Sequence, residues 1–179
     1  MPTGTATKAT RQRKAPKPQL LEMGPQKVAT VTTKGDPNKM GDRVMPALYG
    51  SVYMLKSERK KAGRDFKVRA PRARWPDSDR VSKAEWTGIW ALPVPEDTID
   101  IPQKIPEIPV ELQTWEYGTV AQITHVGSYK TENKTIEKLR QFIEENGYEI
   151  AGVHEEEYLT RPTAKVQKTL IRYPVKKKV

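Results

Sequence analysis

The chain lacks cysteine, and several other features that would indicate particular classes of protein are also missing. Without cysteine among its 179 residues, it can form no disulfide, thiolate metal site or cysteine nucleophile. No apolar run reaches the roughly 18–20 residues that span a bilayer, and the first residues hold no signal-peptide-like stretch. There is no glycine-rich phosphate loop and no spacing typical of a Ser-His-Asp triad. We therefore expect a soluble cytoplasmic protein with no cofactor and no membrane partner.

Positive charge is concentrated near the N-terminus. The formal net charge is +10, and residues 1–27 hold six lysines or arginines against one glutamate. Residues 1–26 show no periodic apolar face, so we predict that they form a disordered basic tail that the fold and the pocket do not need. Such a tail attracts nucleic acid only weakly and without sequence preference, and most basic runs of this kind are simply solvated.

From residue 27 onward the same order of predicted elements occurs twice. In the first copy KVATVTTKG alternates as a strand does, and Val44, Leu48, Val52 and Leu55 recur at helical spacing. Because Pro46 fits only in a first helical turn, we predict that this helix begins near residues 42–45, with Asp42 as its N-cap. Two extended segments follow, DFKVRAPRARW and EWTGIWALPV.

The second copy repeats this order with a clearer helix. TVAQITHVG predicts a strand, TENKTIEKLRQFIEENG a helix with Thr131 or Asn133 as its cap, and Asn146-Gly147 a left-handed stop. YEIAGVHEEEYL and KTLIRYPV predict two more strands. The fold class is therefore α+β: a duplicated βαββ unit with pseudo-two-fold symmetry, antiparallel strands, two helices and a central groove. We place repeat one at about 27–95, a Pro-rich linker at 96–114 and repeat two at about 115–178.

Five separated segments carry a resemblance to a known family. KGDPN, ALYGSVYMLK, VAQITHVGSYKTENKTIEKLRQFIEENGYEIAG, HEEEYL and KTLIRYPVKK resemble the motifs of the GyrI-like family, in that family's order, over about residues 27–178. The family is similar to the effector-binding domains of AraC-type and multidrug-responsive regulators. The resemblance implies a ligand groove between the repeats, with aromatic walls and an acidic residue inside. No helix-turn-helix motif precedes the domain here, which argues against a one-component transcription factor.

The segment from His154 to Leu159 holds the candidate acidic residue. Strand alternation places His154, Glu156 and Tyr158 on one face, and the resemblance assigns Glu156 and Tyr158 to the groove. A carboxylate among aromatic rings is poorly solvated, so it can hold a cation or take a proton from water. From the pattern alone, three consecutive glutamates are equally typical of an exposed strand.

Aromatic residues are the candidates for the groove walls. Flat rings suit planar hydrophobic ligands, and cationic ones through the ring quadrupole. Trp90 and Tyr53 are as typical of core packing as of a pocket, whereas Trp75, after an Arg-Ala-Arg turn, favours the pocket. The candidate ligand-binding residues are Tyr49, Tyr53, Trp75, Trp86, Trp90, Glu156, Tyr158 and Tyr173.

A metal site is not expected, because His125 and His154 are the only histidines and lie far apart in the sequence. One departure from the family pattern concerns the first copy. The family commonly has a glutamate in the turn that corresponds here to Pro71–Trp75, where the tryptophan is kept and the carboxylate is not.

Three functions follow from these observations. The leading hypothesis is binding of a flat hydrophobic or cationic organic molecule in an aromatic groove with a central glutamate. The second, known for some family members, is hydrolysis of cyclopropane-bearing genotoxins. Glu156 would be the general base, and Tyr158 or Tyr173 would donate to the developing oxyanion. The third is a protein-interaction role resembling that of gyrase-inhibiting relatives. Whether the chain is an enzyme, and its oligomeric state, stay open at this stage.

Overall fold

A computed structural model describes residues 14–179 and shows nine strands and two α-helices. The helices are α1 (Pro37–Lys61) and α2 (Glu132–Glu145). The strands are β1 (Gln19–Met23), β2 (Gln26–Lys34), β3 (Arg72–Arg74), β4 (Thr87–Pro93), β5 (Glu111–Trp115), β6 (Gly118–Val126), β7 (Tyr148–Ile150), β8 (Glu155–Tyr158) and β9 (Lys168–Lys177). Within residues 14–179, neither helix combines the length and apolar character needed to cross a membrane.

The strands form one antiparallel sheet in the order β1-β6-β9-β8-β3-β4-β2-β5, and β7 pairs with the end of β9. This arrangement confirms the predicted α+β class with two helices and antiparallel strands. Strands β6, β9 and β8 of the predicted second repeat follow one another toward the centre from one end of the sheet. Strands β2, β4 and β3 of the first repeat do the same from the other end, and β8 and β3 pair at the centre. The origin of the two halves by duplication stays a prediction.

One face of the sheet carries both helices. Alternate strand residues such as Ala29 and Leu92 pack with Leu48 and Val52 of α1 in a first core cluster. Leu139 and Ile143 of α2 form a second cluster with residues of β6 and β9, which include Ile123 and Ile171. Burial of these apolar side chains fixes each helix on its own half of the sheet.

The other face of the sheet has its own apolar cluster. Val28, Ala91 and Val120 point away from the helices and pack with Trp115 and Tyr117. Because a strand turns successive side chains to opposite faces, β2, β4 and β6 contribute to both sides. The two faces therefore form separate environments, and the site lies on the helical one.

Helix α1 begins earlier than the sequence predicted. Asp36, rather than Asp42, is the N-cap, and its side chain accepts a hydrogen bond from the Asn38 backbone N–H at 2.9 Å. Pro37 takes a first-turn position, where a missing N–H costs nothing. Pro46 therefore lies inside the helix, on its exposed side. The long apolar face of α1 compensates for the hydrogen bond that a proline cannot donate.

The predicted boundaries of the tail and the linker need correction. Residues 1–13, the first half of the predicted tail, lie outside the described part of the chain. Strand β1 falls within the second half of the proposed tail and pairs with β6. The proposed linker 96–114 contributes Ile101 and Val110 to the first core cluster and enters β5, which pairs with β2. Prolines exclude a helix there, but they do not prevent apolar side chains from packing.

Two of the predicted strands are shorter or divided. In DFKVRAPRARW only β3 forms a ladder. YEIAGVHEEEYL is divided into β7 and β8, which pair with different parts of β9. Between them Gly152 lies so close to Pro174 that an added Cβ would be 2.7 Å from its ring. The division places His154 beside the start of β8, where it faces the cleft.

Candidate functional site

A cleft of about 1390 Å³ opens on the helical face of the sheet, lined by residues of both helices and of the central strands. The structure brings all eight predicted site residues to this cleft. They are Tyr49 and Tyr53 from α1, Trp75 and Trp86 from the segments that flank the 76–85 loop, Trp90 from β4, Glu156 and Tyr158 from β8, and Tyr173 from β9.

Aromatic rings in mutual contact form one wall of the cleft. Trp75 packs edge-on against Trp90 with ring centroids 5.1 Å apart and lies 5.7 Å from Trp86. Trp90 stacks on Tyr158 at 6.5 Å, and Tyr129 meets Tyr158 edge-on at 6.0 Å. Contacts of this kind fix the ring orientations, so the wall is formed before a ligand arrives.

Two glycines allow the tryptophans to reach these positions. A Cβ on Gly88 would lie 2.7 Å from the Trp75 ring, and one on Gly41 of α1 would lie 3.2 Å from the Trp90 ring. The Trp90 indole N–H donates to Thr33 Oγ1 at 3.0 Å. Trp75 and Trp90 are almost fully buried, so they serve as core and cleft wall together.

Two protein donors, His154 and Tyr158, hold Glu156 in the interior of the cleft. The His154 imidazole contacts Glu156 Oε1 through Nε2 at 2.9 Å and the Tyr173 hydroxyl through Nδ1 at 2.7 Å. Tyr158 donates its hydroxyl to Glu156 Oε2 at 3.0 Å. Only 12% of the Glu156 side chain is exposed.

This environment favours the charged form of Glu156. Burial opposes the charge, but the hydrogen bonds and positive potential from His154, with the bond from Tyr158, outweigh it and lower the pKa of Glu156. Burial and the negative charge of Glu156 together raise the pKa of Tyr158 far above its usual range. Glu156 is therefore the ionised acceptor of the cleft, and Tyr158 remains a neutral hydroxyl donor.

A second carboxyl, which the sequence prediction missed, lies beside Glu156. Glu132 is the first residue of α2 and is 8% exposed. Burial, together with repulsion by Glu156 and hydrogen bonding to it, raises the pKa of Glu132 to about 9, against a small opposing effect of Lys83. At neutral pH the pair therefore holds one proton and one negative charge. An acidic residue at a helix start is common because it stabilises the helix, so nothing in the sequence indicated that Glu132 belongs to the site.

His125 positions the segment that carries this second carboxyl. Its imidazole contacts Thr135 Oγ1 at 2.7 Å and the Ser128 carbonyl oxygen at 2.9 Å. These contacts join β6 to the turn that holds Tyr129 and to the start of α2. His125 thus has a structural role. Within residues 14–179, no group of three or more histidine, aspartate or glutamate side chains is arranged to hold a metal ion.

Formal charges around the cleft balance, but they differ in burial. Five basic residues line it, Arg69, Lys83, Lys130, Arg140 and Arg161, and five acidic ones, Asp42, Asp79, Glu132, Glu137 and Glu156. Only Glu132 and Glu156 are withdrawn from solvent, whereas the other eight are exposed. Since water screens the exposed charges, the field inside the cleft is set by the two glutamates.

The neighbouring glutamates take the opposite face, as strand alternation predicts, but they are not exposed there. Glu155 is 1% exposed and forms ion pairs with Arg74 and Arg172. Glu157 pairs with Arg172 at 3.1 Å. Arg74 lies in the turn where the family commonly has a glutamate. It therefore belongs to a buried ionic cluster behind the sheet and not to the cleft.

The fold agrees with the comparisons to known proteins. A model of the GyrI-like small molecule binding domain matches residues 16–176, so the chain belongs to the GyrI-like small-molecule-binding family. Small organic molecules are therefore the class of partner to which this domain is suited. No protein of curated function matches the sequence significantly.

Solved structures with the same fold come from several kinds of protein. An uncharacterized conserved protein from Listeria innocua has a TM-score of 0.79 at 24% identity, covering 89% of this chain and 92% of that one. A hydrolase from Listeria innocua has a TM-score of 0.74 at 23% identity, with 92% and 94% covered. The EcmrR C-terminal domain has a TM-score of 0.64 at 17% identity, with 91% and 99% covered. At these identities the likeness supports the fold alone.

Proposed function

We propose that this protein binds a flat, cationic organic molecule in the aromatic cleft, with Glu156 as the counter-charge. The observation that supports this most directly is the position of the Glu156 carboxyl group, 2.9 Å from His154 Nε2 and 3.0 Å from the Tyr158 hydroxyl inside a cleft of about 1390 Å³. Stacked rings match a flat ligand, and a buried carboxylate favours a positive one. A neutral flat molecule gains only the stacking part of this recognition.

Substitution of Glu156 tests the proposal. Glu156→Gln keeps the shape of the side chain and removes its charge, so N-methylacridinium should bind the variant about 10- to 150-fold more weakly, as expected for loss of about 1.5–3 kcal/mol in a charged contact. Acridone, which is flat and neutral, should lose less than about threefold. Fluorescence titration of both probes measures the difference.

Glu137→Gln is the matched control. Glu137 lines the same cleft but is exposed, so its substitution changes the net charge equally while solvent screens its effect on the ligand. N-methylacridinium affinity should change by less than about twofold in this variant. Equal losses in the Glu137 and Glu156 variants would show that net charge, rather than a built site, attracts the probe.

Hydrolysis is the second candidate function, and the protonation of the cleft favours it. Glu156 is an ionised base, while Tyr158 and the protonated Glu132 are donors in the same cleft. A base for water and donors for a developing oxyanion are what opening a strained electrophilic ring requires. Two solved relatives of the fold are described as hydrolases. Product formation from a cyclopropane-bearing genotoxin, reduced about 100-fold in Glu156→Gln with affinity nearly unchanged, would establish this function.

A further inference from the structure

We propose that Glu132 and Glu156 form a two-carboxyl site that selects cations able to donate hydrogen bonds, such as protonated amines and amidinium groups, over fully alkylated cations. Binding of such a cation displaces a proton that the two carboxyls share. This inference rests on the proposed binding of cations in the cleft and adds to it the chemical class of the cation.

The unsatisfied oxygen of Glu132 is the first observation behind this proposal. Glu132 lines the cleft and is 92% buried, yet within residues 14–179 its Oε1 atom has no hydrogen-bond partner. A buried carboxyl oxygen without a hydrogen-bond partner is costly, and proteins rarely keep one without a reason. A ligand N–H group in the cleft would supply the missing donor.

The second observation is that the two carboxyls differ in how many donors the protein provides. Both oxygens of Glu156 already have protein donors, His154 on one and Tyr158 on the other. Glu132 interacts with Glu156 itself, and in the free protein a shared proton relieves the repulsion between them. A cation that carries N–H groups can take over that proton's role, because it brings both positive charge and donors. An alkylated cation brings the charge alone.

Other groups around Glu132 do not replace the ligand donor. Lys83, from the loop before β4, is exposed and only slightly opposes the rise in the Glu132 pKa. Burial and the nearby charges of Glu132 and Glu156 raise the pKa of Tyr129, which keeps it neutral. Tyr158 already donates to Glu156. Glu137 and Arg140, one and two turns further along α2, are exposed at the cleft.

Affinity measured against pH tests the proposal with two probes of the same ring system. Protonated aminoacridine carries N–H donors, and N-methylacridinium carries none. Because binding releases one proton, the affinity of the wild type for aminoacridine should rise about tenfold for each unit of rising pH between about pH 6.5 and 8.5. In Glu132→Gln this dependence should vanish, and N-methylacridinium should show little of it in either protein. Calorimetry in two buffers of different ionisation enthalpy counts the protons released.

A measurement without ligand keeps the Glu132 assignment separate from the binding proposal. Since the folded protein holds a proton on Glu132 that the unfolded chain releases, the wild type should lose stability as pH rises from about 4.5 toward 9. Glu132→Gln removes this loss. Near pH 9 the melting temperature of the variant should therefore exceed that of the wild type by at least about 2 °C, the shift that about 1 kcal/mol produces in a domain of this size. The difference should disappear toward pH 5.

The possible outcomes distinguish the two proposals. Failure of both cations to bind the wild type would overturn the proposed function, even if the melting curves of Glu132→Gln behaved as described. Binding of both cations with equal proton release, or a pH dependence that survives in Glu132→Gln, would overturn the two-carboxyl inference alone. Loss of the melting difference near pH 9 would likewise overturn it.

Discussion

Glu155 is a charged side chain buried on the face of the sheet opposite the cleft. It accepts hydrogen bonds from Arg74 Nε at 2.9 Å and from the Tyr117 hydroxyl at 3.0 Å, and it pairs with Arg172. Arg72 donates to the same tyrosine at 2.8 Å. With several guanidinium groups around a single fully buried carboxylate, the removal of its charge leaves positive charges uncompensated.

We therefore expect Glu155→Gln to destabilise the fold. The free energy of unfolding should fall by about 3–5 kcal/mol, the usual cost of removing one partner of a buried ion pair. Glu157→Gln, which affects a single contact with Arg172 on a partly exposed side chain, should cost about 1 kcal/mol. Denaturant unfolding of both variants measures the costs, and equal values would contradict a central role of Glu155.

The burial of Glu155 also decides which glutamates can serve as controls for Glu156. Because Glu155 belongs to a buried ionic cluster, its substitution disturbs the back of β8, the strand that also holds Glu156 and Tyr158. An effect on ligand binding would then be indirect. Glu137, exposed at the cleft, avoids this difficulty.

At the scale of the elements, β1 shows how a short edge strand adds to stability. Residues 19–23 pair with 118–122 of β6. Leu20 packs against the α2 cluster, and Leu21 against the cluster on the other face. The strand thus adds half-buried apolar surface to both sides of the sheet and covers part of the β6 edge.

Truncation of the chain tests this role of β1. Deletion of residues 1–24 should lower the free energy of unfolding by about 2 kcal/mol, about the burial energy of two half-buried leucines, and the melting temperature by about 4–8 °C. Deletion of residues 1–13 is the control and should leave the melting temperature within about 1 °C. If both truncations behave alike, β1 does not contribute to the fold as its pairing indicates.

The whole molecule carries a formal charge of +10, with an excess near the N-terminus. We expect affinity for DNA to be weak, indifferent to sequence and abolished by moderate salt, because released counterions would supply nearly all of the binding energy. Deletion of residues 1–13 should weaken it further. Electrophoretic shifts at increasing salt test this, and sequence-specific binding that resists salt would contradict it.

Much of the fold followed from the sequence because its signals are local. The spacing of Val44, Leu48 and Val52 marked the buried face of α1, and that of Leu139 and Ile143 the face of α2. Strand alternation predicted that Glu156 and Tyr158 share a face, since it depends only on backbone geometry, and the resemblance to the family implied that this face lines the groove. Gly147, with φ of 77°, ends α2 as the Asn-Gly pair indicated.

What the sequence missed depends on contacts between distant segments. Nothing near residue 20 indicates that β1 will find β6 about a hundred positions later, and nothing in 96–114 shows that Ile101 will reach the core of α1. Likewise, Asp36 and Pro37 matched a turn as well as a helix start, and only the packing of the full helix decided between them.

The candidate site likewise has a part that the sequence predicted and a part that depends on contacts between distant segments. The sequence by itself predicted that His154, Glu156 and Tyr158 share one face, because strand alternation has a two-residue period, and the resemblance to the family assigned Glu156 and Tyr158 to the groove. Only the tertiary structure brought Glu132, from another element, beside Glu156 and surrounded Glu155 with arginines on the reverse of the same strand. Charge state and burial arise from such encounters, since a carboxyl's proton affinity depends on its neighbours in space and not on its neighbours in the chain.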